Sequence, residues 1–189
     1  MSEKENLSNL SSPYREKGFF LASAIKRLNY YKGLADKTFV LLDEKKIHFI
    51  PSDESNSIAV IIQHMHGNMM SRWTDFLASD GEKPWRKRDA EFEDKNLSKV
   101  QLISLWEEGW KCFLDAMESL SSADLEKTIY IRSEPLSVVD AINRQLAHYP
   151  YHVGQIIYAA KFLKNKTWQN LSVPKGKSSD FTNELNNQP

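Results

Sequence analysis

An all-α fold, a bundle of amphipathic helices in one domain, is what this 189-residue sequence predicts. Three observations carry that expectation. Apolar residues recur at intervals of three and four in four separate stretches, the spacing that lines them along one helix face. Helix-capping residues stand directly before several of these stretches. The intervening loops are of moderate length, and four such helices bury their stripes by packing together.

The first stretch follows Ser12-Pro13, a cap with proline in the first turn. It carries Phe19, Phe20, Ile25, Leu28 and Tyr31 and is expected to fade near Gly33. Residues 35–56 are mixed, and Phe39 to Leu42 and Ile47 to Ile50 fit either strand or short helix. The second helix is expected after Asn56-Ser57 and on to about Ala78, with the stripe Ile58, Ile62, Met65, Met69, Trp73 and Phe76. Asp80-Gly81 ends it, and a charged loop with Pro84 follows over roughly 80–96. Ser98 with Gln101 has the form of a capping box for the third helix. Its stripe is Leu102, Trp106, Trp110, Phe113, Met117 and Leu120. Ser121-Ser122 stops it, and Thr128 to Ile131 has a brief β-like character. Ser137 with Asp140 caps the fourth helix, which is expected to reach about Leu163. Residues 178–189 read as a disordered tail, leaving 1–177 as one helical domain.

The totals exclude several classes. Twenty-five basic residues balance 25 acidic ones, so no bulk attraction draws the chain to nucleic acid or anionic membrane. The run Trp85-Arg86-Lys87-Arg88 is answered by Asp89, Glu91, Glu93 and Asp94, and reads as a solvated loop. No stretch approaches 18 apolar residues and the first ten are polar, so neither a membrane span nor a signal peptide is expected, and a cytoplasmic location follows. With the single Cys112, a cysteine-rich zinc site is impossible. Cys112 itself reads as a small core-edge residue, and the Trp106/Trp110 pair as core packing.

A metal site must then use histidine, with Asp, Glu or water. Four of the five histidines fall into two clusters, His64/His66 and His148/His152. His148 and His152 are one helical turn apart, so both imidazoles project from one face and can reach one ion. Asp140, Arg144, His148, His152, Gln155 and Ala159 follow one another at spacings of four and three beside the apolar stripe. Pro150 between the two histidines removes the hydrogen bond to the Leu146 carbonyl, and a kink is expected. In the second helix, periodicity places His66 close to the buried stripe. His64 falls to one side with Asn68 and Arg72, the better position for a ligand; both readings stay open on spacing alone.

Two motifs carry a family resemblance. The segment Ser57-Ile-Ala…Gln63-His64-Met-His-Gly-Asn68-Met-Met-Ser-Arg72-Trp73-Thr-Asp75-Phe, followed by Asp80-Gly-Glu-Lys-Pro84, resembles the DinB/YfiT-like superfamily, and more narrowly an uncharacterised bacterial subfamily of it. His148-Tyr-Pro-Tyr-His152-Val-Gly154-Gln155-Ile156 is similar to the histidine pair of that superfamily's last core helix. The resemblance spans roughly residues 15–175. It implies a DinB-like up-down-down-up four-helix bundle, often a homodimer, with a divalent metal held by His64, His148 and His152.

Three imidazoles leave at least one coordination position for water or substrate. Zn²⁺ or Ni²⁺ suits such a set, with Fe²⁺ and Mn²⁺ as further options. Asn68, Asp140 and Gln155 are candidates to orient the ligating rings, and Arg72 and Arg144 suit an anionic small-molecule substrate. Characterised members of the superfamily include metal-dependent transferases and isomerases that use a low-molecular-weight thiol such as bacillithiol. The resemblance therefore implies a thiol S-transferase. The alternatives are a metal-dependent hydrolase, for which Asp140 is a weak nominee as base, and a non-catalytic metal-binding or stress-related protein.

Overall fold

The structure, a computed structural model, describes residues 17–180. The Ser12-Pro13 cap and the tail beyond Asp180 lie outside these residues. In chain order the elements are α1 (Phe19–Val40), α2 (Glu44–Ile47), α3 (Ile58–Trp73), α4 (Lys99–Ser119), the strands β1 (Thr128–Ile131) and β2 (Glu134–Ser137), and α5 (Val138–Lys164). Short 3-10 turns occupy Asp89–Glu91, Ser122–Asp124 and Asn165–Thr167. The described chain is mainly helical. The dominant pairings are α1 with α5 and α3 with α4, and further contacts of α3 with α5 and of α1 with α4 join the two pairs.

Capping fixes three of the long helices where the sequence places their starts. The Ser57 hydroxyl accepts from Val60 N, and the Ser137 hydroxyl from Asp140 N. Ser98 and Gln101 satisfy each other's backbone amides as a complete capping box. Helix α1 departs from the expected end. It passes through Gly33 and continues to Val40, because the added turns bury Ala35, Thr38 and Phe39. Phe39 packs edge-on against Trp106 with ring centroids 5.1 Å apart. Burying a phenylalanine is worth about 1.5–3 kcal/mol, more than the ~1 kcal/mol that a mid-helix glycine costs.

Helix α3 ends earlier than its apolar stripe suggests, at Trp73 rather than Ala78. Asp75 takes a left-handed conformation with φ of 47°, and the chain doubles back so that the buried Ser71 hydroxyl donates to Gly81 O at 2.7 Å. Phe76 still reaches the core, from the turn instead of the helix. The β-like segment Thr128–Ile131 pairs with Glu134–Ser137 as an antiparallel hairpin. Its turn residues Arg132 and Ser133 both have positive φ. The Asp80 carboxylate supports that turn by accepting both of their backbone amides, at 2.9 and 2.7 Å.

The core is aromatic at its centre: Trp106, Trp110, Phe113 and Tyr149 are all essentially inaccessible. Helices α3 and α4 approach closely where Gly109 faces the backbone of His66 and the Met69 sulfur; a Cβ on Gly109 would meet both at 3.2 Å. No helix among the described residues is long and apolar enough to cross a membrane. The close approach yields a first prediction. Gly109→Val forces α3 and α4 apart and is expected to lower stability by about 1–3 kcal/mol, read as a fall in the urea midpoint with an unchanged slope.

Candidate metal centre

Helix α3 brings His64 to face His148 and His152 on α5, and the three side chains offer ligand nitrogens that all lie within 4.8 Å of one another. The Nε2 atoms of His64 and His148 are 3.4 Å apart, and those of His148 and His152 are 3.0 Å apart. Tetrahedral zinc with bonds of about 2.0–2.1 Å sets its nitrogens roughly 3.3 Å apart. The spacing therefore fits one ion.

Tautomers sharpen the point. The Nδ1–H of His64 donates to Glu91 Oε2 at 3.0 Å, and that of His152 donates to Gln155 Oε1 at 2.8 Å. In their neutral form both rings therefore carry their proton on Nδ1 and present a bare Nε2 lone pair to His148. One proton on His148 Nε2 satisfies only one of those lone pairs, whereas a cation between the three satisfies all of them. Burial, followed by repulsion from His152 and His64, lowers His148 to about 3. His152 is lowered too, again chiefly by burial. Neutral imidazoles are the form a divalent ion requires. The site can hold a metal ion, and its donor set suits one.

The surroundings hold the rings in place. Glu91 is buried in the 3-10 turn after Pro84, and both of its oxygens accept from the Arg86 guanidinium, at 2.7 and 2.9 Å. Burial alone would raise the Glu91 carboxyl, but the bonds from Arg86 and then His64 outweigh it and hold it below the usual range. Phe92 stacks on the His64 ring with centroids 4.7 Å apart. A Cβ on Gly67 would collide with the Glu91 carboxylate, so glycine there leaves room for the loop to reach His64. Across the helices, Trp73 Nε1–H donates to the Tyr149 hydroxyl, which donates to Asn68 Oδ1, each at 3.2 Å.

Several sequence expectations change. His64, assigned to one side of the buried stripe, is 4 % exposed. His66, assigned close to it, is partly exposed and donates to Glu108 at 3.0 Å. The difference arises because α3 is covered on two sides, by α4 and by the 80–96 loop. That loop is not simply solvated: the Arg86 and Glu91 side chains are only 1 % and 7 % exposed. Asp140 is exposed at the start of α5, two turns before His148, and is not brought to the cluster. Gln155 bonds His152 directly. Asn68 takes the Tyr149 hydroxyl. Arg72 is buried and engaged by the Gly81 carbonyl and by Glu82, while Arg144 is exposed. Pro150 lies inside a continuous helix. Cys112 is half-buried beside Thr74, and burial raises its thiol.

A polar cavity of about 170 Å³ opens against His64 and His148. Asn68, Gln145 and five arginines line it, and no carboxylate does. Sequence reasoning missed Glu91 because its partner His64 is 27 residues away in the chain, and no local spacing marks such a contact. It missed Arg86 because the Arg86–Glu91 pair, five residues apart, read as part of a solvated loop.

A family model described as "Protein of unknown function (DUF1572)" matches residues 16–177. No curated protein matches the chain.

Two predictions follow from this geometry. Alanine at His148 or His152 is expected to abolish retention of zinc through gel filtration, while His66→Ala retains it; metal content by mass spectrometry decides. Glu91→Gln keeps the shape but weakens the hold on His64. It is expected to cost about 10–100-fold in metal affinity, measured by competition with a chromophoric chelator.

Proposed function

The chain belongs to the DUF1572 family, and from that premise we propose that it is a DinB/YfiT-like, divalent-metal-dependent thiol S-transferase acting on small molecules. The proposal includes the up-down-down-up order of the four long helices, a homodimer, and zinc or nickel as the ion. The observation that carries it is the convergence of three imidazoles beside a cavity lined with arginines and free of carboxylates. A divalent ion bound there would acidify a thiol, giving a strong nucleophile at neutral pH.

The chain's own residues do the rest. His64, His148 and His152 hold the ion, and Glu91 and Gln155 fix two of the rings in the tautomer that leaves Nε2 free. Arg144 is exposed at the cavity and suited to steady the negative charges of a thiol cosubstrate such as bacillithiol, whereas Arg72 is already engaged by Glu82. A larger groove of about 490 Å³ borders Gln155 and is walled by Ile61, Tyr158, Ala159 and Phe162. It offers an apolar surface to an electrophile. In the reaction the thiolate sulfur forms a bond to the electrophilic carbon, and the leaving group departs with its electron pair.

Hydrolysis is less well supported. It calls for a carboxylate base near the metal. Glu91 already accepts three hydrogen bonds, and Asp140 is remote. A sealed, non-catalytic site fits less well with His148 and His152, which remain partly exposed.

The test supplies zinc- or nickel-loaded protein with monochlorobimane and, in turn, bacillithiol, mycothiol, glutathione, coenzyme A and cysteine. Conjugation above background with at least one thiol is expected, falling to background in His148→Ala. Rates independent of the thiol across the whole set would overturn the reading.

A further inference from the structure

The arginine cavity has a charge excess that the ligand of the site must answer. Its guanidiniums come from four separate parts of the chain: Arg72 on α3, Arg86 and Arg88 in the following loop, Arg132 at the hairpin turn and Arg144 on α5. Two carboxylates pair with them directly. Glu82 accepts from Arg72 and Arg132, both at 2.9 Å, and Glu91 accepts from Arg86. Asp80, at the hairpin turn beside Arg132 and within electrostatic reach of Arg72, offsets a third charge. Two positive charges remain, and among the described residues Arg88 and Arg144 form no ion pair. The Arg86 side chain is 1 % exposed, yet its Nη1 has no hydrogen-bond partner among the described residues. An orphaned buried donor of this kind is costly unless a ligand meets it.

Repulsion among the guanidiniums points the same way. Burial lowers Arg72 below its ordinary value, and Arg86 and Arg132 push it further in that direction. A ligand with one negative charge leaves part of this excess uncompensated, whereas one with two charges and several oxygens can take donors from several sides.

We propose that this cavity is a subsite for the dianionic end of the small-molecule ligand, a phosphate or a dicarboxylate, seated beside the metal-binding histidines. The proposal deepens, and for the identity of the whole molecule rests on, the reading of the site as one that works on a small anionic thiol. Arg88 and Arg144 admit the ligand at the exposed rim, and Arg86 supplies the buried donor.

Calorimetric titration decides it, using metal-free and zinc-loaded protein with inorganic phosphate, malate and acetate at pH 8. Phosphate or malate is expected to bind at least about tenfold more tightly than acetate, in line with charge-assisted contacts, and less tightly as salt rises. Comparison of the phosphate and malate arms identifies which dianion the subsite prefers. The exposed substitutions Arg88→Gln and Arg144→Gln together should reduce dianion affinity about tenfold or more, with the zinc content and thermal midpoint retained. Equal affinity for acetate and both dianions, or no effect of the double substitution, would overturn the proposal. Dianion binding without thiol-dependent conjugation would sink the transferase reading alone; conjugation without dianion binding would sink the subsite alone.

Discussion

The buried Tyr149 sets the register on which the site depends. Its hydroxyl receives the Trp73 indole proton and donates its own to Asn68, so one phenol is bonded to two residues of α3. Because Tyr149 adjoins His148 in the chain, the same contact fixes how far α5 slides along α3. A shift of one residue would move His148 by about 1.5 Å and rotate it by roughly a quarter turn, enough to break a three-nitrogen site. Burial holds the phenol protonated, so it keeps its donor across the neutral range.

A second tether comes from outside the helices. The loop after α3 returns Glu91 to His64, and Arg86 secures that carboxylate with two bonds. Charges this deeply buried stabilise only as a complete set, and removing one partner of such a pair costs about 3–5 kcal/mol. The loop thus does two things at once. It supplies the acceptor that sets the His64 tautomer, and it supplies an arginine to the adjoining cavity. Position and electrostatics of the metal centre are therefore coupled through one short segment.

The consequence for chemistry is an asymmetric site. A basic, polar cavity touches His64 and His148, while a groove with an apolar wall borders Gln155, which bonds His152.

By itself the sequence determined what local physics controls. Period and caps placed the long helices, and the i, i+4 spacing of His148 and His152 put them on one face. The β-like Thr128–Ile131 segment was also legible, though its partner strand was not. Tertiary structure decided what depends on distant contacts. Phe39 against Trp106 carried α1 through Gly33, and the Ser71–Gly81 bond accompanied the early end of α3. Covering α3 on two sides reversed the burial of His64 and His66. Glu91 found its histidine across 27 residues of chain. A helix face is written every three or four residues, but which face is covered, and by which charge, is settled only when remote segments compete to bury it.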